Sequence, residues 1–92
     1  MRDQTPLTVR VVYLARLREA FATAGESMVV PAGSEATVAA VLDALRQRGT
    51  AFAAELAPGR AVRVAINHAM ATPADAIRDG DEVALFPPVT GG

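Results

Sequence analysis

The stretch TVAAVLDALRQRG (residues 37–49) decides the fold, because it carries the clearest helical period in the chain. Thr37 has a hydroxyl that suits an N-cap, and Gly49 follows the last predicted turn. The apolar side chains recur at the spacing i, i+3, i+4 and i+7, so they form one stripe. That stripe consists of Val38, Val41, Leu42 and Leu45. The sequence therefore predicts an amphipathic helix that must pack against an apolar surface.

Upstream of this helix, the sequence predicts two strands that pair as a hairpin. Residues 7–14 alternate like a half-buried strand, and residues 26–31 return after a short helix predicted over residues 15–24 and closed by Gly25. One face of the first strand is wholly apolar, whereas the other also ends in apolar residues. The first face holds Leu7, Val9, Val11 and Tyr13, and the second holds Thr8, Arg10, Val12 and Leu14.

Downstream, the pattern predicts one helical turn and then two or three more strands. A short helical run and a bend fall within residues 50–60, and residues 62–66 alternate strictly. Residues 70–71 are expected to form a brief edge strand. The Asp-Gly-Asp sequence at 79–81 is typical of a tight turn and leads into a final strand at 82–86.

Strand pairs on both sides of one main helix indicate an α+β fold. We expect a β-grasp arrangement, in which a mixed sheet of four to five strands packs on the helix and the last strand lies parallel beside the first. We expect residues 1–92 to form a single domain, which includes a flexible tail at 87–92. No predicted element covers the other face of the sheet. That face carries the apolar residues Val12, Leu14, Ala65, Ala84 and Phe86.

Composition argues against several classes of function. Nine basic residues, all arginine, nearly balance ten acidic ones, so we expect no nucleic-acid partner. No apolar run approaches a membrane span or a signal peptide, so we expect a cytoplasmic protein without a membrane partner. The chain has no cysteine and only one histidine, His68, which we interpret as an exposed turn residue. An enzyme that acts alone is therefore not expected.

The tail reads PPVTGG (residues 87–92) and has properties suited to entering another protein's pocket. Glycine has no Cβ, so a carboxylate on Gly92 could thread a narrow site. Pro87 and Pro88 fix φ in advance and extend the chain. Six residues span roughly 20 Å. A frayed chain end without function is the alternative interpretation.

The stretch DGDEVALFPPVTGG (residues 79–92) resembles the end of the small, sulfur-carrier subunit of molybdopterin synthase, a ubiquitin-like protein. Further similarity lies in LARLRE (14–19), in Thr37-Val38 and in VAIN (64–67). The resemblance covers nearly the whole chain, and its FPPVTGG ending is far more specific than two glycines.

The resemblance implies that the Gly92 carboxylate is adenylated by an activating enzyme that uses Mg-ATP, and is then converted to a thiocarboxylate by a persulfide enzyme. The tail would next enter the large subunit of the synthase, within an expected heterotetramer, and give its sulfur to precursor Z. The chain would be a sulfur donor without catalytic residues, metal or cofactor of its own. The tail residues would be Pro87, Pro88, Val89, Thr90, Gly91 and Gly92.

By position, the resemblance also assigns contacts with partner proteins. Leu14, Met70 and Phe86 would make apolar contacts, while Arg18 and Asp81 would add polar contacts to the activating enzyme.

Three alternatives remain open at this point. The same chemistry could serve a thiamine precursor or a transfer RNA base. A protein modifier would instead join Gly92 to a target lysine. A plain binding module would make no use of its tail.

Overall fold

The computed structural model describes residues 6–30 and 36–88. That part of the chain contains five strands and three helices. In chain order they are β1 (Leu7–Tyr13), α1 (Arg16–Phe21), β2 (Gly25–Val30), α2 (Val38–Arg46), α3 (Thr50–Glu55), β3 (Arg63–Ile66), β4 (Ala69–Ala71) and β5 (Glu82–Phe86). Across these residues, no helix combines the length and the hydropathy needed to cross a membrane.

The strands form one mixed sheet in the order β2-β1-β5-β3-β4. β1 and β5 are parallel, with Val12 beside Ala84 and Tyr13 beside Leu85. The other three pairings are antiparallel. The predicted α+β, β-grasp fold is therefore confirmed, including the last strand parallel to the first. This order places β5, which leads into the tail, in the middle of the sheet.

Helix α2 packs its apolar stripe on one face of this sheet. Its N-cap is Thr37, whose Oγ1 accepts a hydrogen bond from the Ala40 backbone N–H at 3.3 Å. Val38, Val41 and Leu45 are fully buried. They meet the inward residues of the central strands, namely Val9, Val11, Tyr13, Val64, Val83 and Leu85. Burying each such side chain contributes about 1.5–3 kcal/mol, so this layer is a major source of the stability of the domain.

Helix α1 is shorter than the sequence predicts. It ends at Phe21 because Ala22 takes a left-handed conformation with φ 59°. The prediction that Gly25 closes this helix was wrong, since Gly25 opens β2 and lies opposite Val12. A Cβ at Gly25 would lie 2.7 Å from the Val11 carbonyl oxygen, so the close approach of the two strands explains the glycine.

Asn67 and His68 form the turn between β3 and β4, with φ values of 49° and 74°. Positive φ at both central residues gives the turn of a two-residue hairpin a twist that matches the right-handed twist of its strands. His68 is 86% exposed, so its interpretation as an exposed turn residue is confirmed. The Asn67 side chain donates to Asp81 Oδ1 at 2.9 Å and accepts from the Glu82 N–H at 3.0 Å. These bonds fix the end of the sheet that lies farthest from Phe86.

Candidate docking face and tail

The sheet face opposite α2 carries no helix in the part of the chain that the structure describes. The strand register aligns one row of small and apolar side chains across four strands of that face. Val12 lies beside Ala84, Ala84 beside Ala65, and Ala65 beside Met70. Ala65 is only 8% exposed and forms the floor of the row, whereas Met70 is 62% exposed.

A second row lies next to the first, toward the start of the tail. The Leu14 N–H donates to the Leu85 carbonyl at 3.1 Å, so Leu14 continues the line of β1 beside Phe86. Arg63 of β3 lies on the other side of Phe86. Leu14 is 41% exposed and Phe86 is half-buried. We call Val12, Leu14, Met70, Ala84 and Phe86 the apolar patch. An exposed apolar surface of this kind is typical of a protein-binding site.

The structure places on one face of the sheet the three residues predicted to make apolar contacts. Leu14 and Phe86 share the open face, as the alternation of β1 and β5 predicts, and Met70 joins them from β4. Their role in binding a partner stays a prediction. Arg18 is exposed on α1, four residues beyond Leu14.

Asp81 lies away from the apolar patch. It precedes β5, at the end of that strand opposite Phe86. Its Oδ1 accepts from the Asn67 side chain, and its Oδ2 accepts from the Arg78 N–H at 2.8 Å. Both carboxylate oxygens therefore stabilise the turn, which gives Asp81 a structural role distinct from a contact beside Phe86.

The tail begins where the second row ends. Pro87 and Pro88 follow Phe86 directly and are half-buried. The predicted tail residues Val89, Thr90, Gly91 and Gly92 lie outside the described residues. The apolar patch and the root of the tail are thus at the same end of the sheet.

A cleft of about 340 Å³ opens beside this root. It lies between α2, the beginning of β3 and the segment after β4, and Pro88 forms part of its wall. Leu42, which the helical period placed on the buried stripe, is half-buried because it faces this cleft. The cleft therefore borders both the buried core, through Val64 and Leu85, and the root of the tail, through Pro88.

A polar network supports β1 from the covered side. The Tyr13 hydroxyl donates to Glu26 Oε2 at 2.6 Å, and Glu26 also forms an ion pair with Arg48. Burial and the neighbouring Glu26 carboxylate raise the pKa of Tyr13 above its ordinary value. Burial alone would raise the pKa of Glu26, but the Tyr13 hydrogen bond and the Arg48 guanidinium together lower it.

Aromatic packing continues this support. The Tyr13 ring meets Phe21 edge to face at 4.9 Å, and Phe21 stacks on Phe52 at 4.1 Å. The sequence alone does not reveal this cluster, because its members come from β1, α1 and α3. These contacts hold the end of β1 in place directly before Leu14.

Residues 11–92, which are nearly the whole chain, match the ThiS family. The chain belongs to the ThiS family. Among its relatives, the molybdopterin synthase sulfur carrier subunit of Haemophilus influenzae is 37% identical over 84 residues, which cover 91% of this chain and 99% of that protein. The resemblance inferred from residues 79–92 is therefore confirmed.

Solved structures place this ThiS-family chain among ubiquitin-like folds. The solution structure of the Haloferax volcanii HVO 2177 protein matches with a TM-score of 0.80 and 28% identity, covering 100% of this chain and 92% of that one. The crystal structure of SAMP1 from Haloferax volcanii matches with a TM-score of 0.74 and 30% identity, covering 92% and 99% respectively.

Proposed function

We propose that this ThiS-family chain is a sulfur carrier for the synthesis of the molybdenum cofactor, acting in the cytoplasm. The observation that carries this proposal is its 37% identity, over nearly full length, to a molybdopterin synthase sulfur carrier subunit. The apolar patch at the root of the tail supports it, because a carrier needs a surface that docks while its end reaches a distant active site.

The proposed chemistry takes place on the Gly92 carboxylate. A carboxylate is a poor electrophile, so an activating enzyme first lets one of its oxygens attack the α-phosphorus of Mg-ATP, and pyrophosphate leaves. A persulfide sulfur then attacks the acyl carbon, and AMP leaves with that oxygen. A thiol next attacks the sulfur of the donor enzyme and forms a disulfide with it, which releases the thiocarboxylate on Gly92. Gly91 and Gly92 suit these steps since they place no side chain beside the reacting carbon.

The thiocarboxylate would then enter the large subunit of molybdopterin synthase, whose residues transfer sulfur to precursor Z. Ordering the tail residues costs about 1–2 kcal/mol each. Burial of the parts of Leu14, Met70 and Phe86 that are still exposed would offset part of this cost, because burying such a side chain from full exposure contributes about 1.5–3 kcal/mol. The half-buried prolines at 87 and 88 reduce the cost further by fixing the direction in which the tail leaves.

Intact mass measurement of the protein from cells tests the proposal. We expect a fraction in which one oxygen is replaced by sulfur, and we expect this fraction to disappear when Gly92 is deleted. The deletion variant should still fold and bind the large subunit, but it should form no molybdopterin from precursor Z. A Thr90→Ser variant, with the same tail length, is the matched control and should remain active. Molybdopterin formation by the deletion variant would refute the mechanism.

A protein modifier is the second candidate, favoured by the 30% identity to SAMP1, the small archaeal modifier protein 1. In that case Gly92 would form an isopeptide bond with lysine side chains of other proteins. Digestion of cell extracts and mass spectrometry would detect lysines that carry the end of this chain. Finding them on many proteins, while precursor Z is left unconverted, would favour the modifier over the carrier.

A further inference from the structure

Arg63 is an exposed cation within the second row of the open face. It pairs in register with Phe86, on the side away from Leu14. Cross-strand neighbours have Cβ atoms about 4.5–5.5 Å apart, so Arg63 lies at the edge of the apolar patch. Phe86 is also the last residue before the tail root. Arg63 is therefore placed where a protein that takes up the tail would touch the sheet.

Arg63 differs from the arginines that serve the fold. Arg16 and Arg60 pair with Glu55, and Arg48 pairs with Glu26. Within residues 6–30 and 36–88, no carboxylate oxygen lies within ion-pair distance of Arg63.

The carboxylates nearest to this face are already engaged or lie at its other end. Asp75 follows β4, where its Oδ2 accepts from the Thr72 N–H at 2.7 Å. Asp79, Asp81 and Glu82 lie at the far end of β5, where Asp79 accepts from the Thr8 N–H at 2.8 Å. The two rows of the open face contain no acidic side chain. The end of the sheet beside the tail is thus apolar and positively charged.

We propose that Arg63 determines partner specificity by pairing with a carboxylate of the large subunit, beside the apolar contact that Phe86 makes. This inference rests on the proposed function. A guanidinium binds a carboxylate through two parallel hydrogen bonds. The pair is more than a weak surface ion pair because Phe86 and the docked protein exclude water from it. Two observations favour this partner. Arg63 borders the apolar patch, and the two rows of the open face contain no carboxylate of this chain.

Binding of the full-length chain to its large subunit, measured by calorimetry, tests the inference. We expect Arg63→Gln to weaken binding about 10-fold or more, and Arg63→Glu to weaken it further by repulsion, as for truncated interface charge pairs. Arg63→Lys should retain part of the affinity, because it keeps the charge but loses the second hydrogen bond. The salt dependence of the dissociation constant should be smaller for Arg63→Gln than for the unmodified chain.

Arg78→Glu is the matched control, since Arg78 is exposed and precedes the turn at the other end of β5. It should bind as the unmodified chain does, and all variants should keep the same thermal midpoint. Equal affinities of Arg63→Glu and Arg78→Glu would overturn the inference while the carrier function stands. A second comparison uses chains that lack residues 91–92. If Arg63→Glu no longer weakens binding in such a chain, Arg63 pairs with the end of its own chain, and the inference is overturned. No binding by the unmodified chain would overturn the proposed function as well.

Discussion

The two faces of β1 and β5 are both largely apolar, yet they have different roles. Inward residues such as Tyr13 and Leu85 are completely buried against the helices. Their outward neighbours Leu14 and Phe86 remain partly exposed. Side chains alternate along a strand, so adjacent residues serve opposite purposes. The covered face contributes most of the buried apolar area, whereas the open face leaves apolar area exposed.

The largest expected effect comes from Leu85→Ala, which breaks the covered face alone. Leu85 is fully buried, so its truncation should lower the free energy of unfolding by about 2–5 kcal/mol. Urea unfolding measures the loss. The fraction that remains folded should bind the large subunit with unchanged affinity, because the open face is intact. A loss of affinity in the folded fraction would show that the two faces are coupled.

Phe86→Asp should change the open face and leave the covered face intact. It should weaken binding of the large subunit by about 10- to 100-fold, in the range of interface hot spots, while the unfolding free energy changes far less than in Leu85→Ala. Val29→Asp is the matched control, since Val29 is 58% exposed on the same face but lies beside Thr8, away from the tail. Calorimetry should find its affinity unchanged. A similar loss in both variants would extend the contact over the whole open face.

The smallest expected effect concerns the contacts of Glu26 with Tyr13 and Arg48 at the rim of the covered face. Glu26 has a lowered pKa in the folded protein, so its stabilisation is present above the ordinary carboxyl pKa and is lost as the pH falls through the folded value. Glu26→Gln should cost about 1 kcal/mol at pH 7. In urea unfolding from pH 7 to pH 3, this difference should shrink toward zero. A difference that does not vary with pH would mean that the Glu26 charge contributes nothing.

Much of this fold follows from local patterns that a sequence displays directly. The period of residues 37–49 places α2, and the alternation of β1 and β5 assigns Tyr13 inward and Phe86 outward. Turn chemistry predicts the bends at Asn67-His68 and before Glu82. These features depend on neighbours in the chain, so they need no knowledge of the tertiary structure.

Other features depend on residues that are distant in sequence. The end of α1 at Phe21 follows from the left-handed Ala22, a conformation that alanine gives no reason to expect. The contacts of Glu26 with Tyr13 and Arg48 join two strands and the segment after α2. The position of Arg63 beside Phe86 likewise depends on the register of β3 against β5, which the sequence does not determine. A docking role for the apolar patch depends on the surface of a partner, so the sequence of this chain alone cannot determine it.

The central position of β5 has a consequence for the synthesis of this protein. A chain leaves the ribosome N-terminus first, so β1 emerges long before its parallel neighbour. Until Glu82–Phe86 is available, β1 and β3 lack the strand that joins them, and α2 has only part of a sheet to cover. A nascent chain interrupted before Phe86 therefore cannot complete its fold. The complete sheet thus forms only after translation has reached the root of the tail.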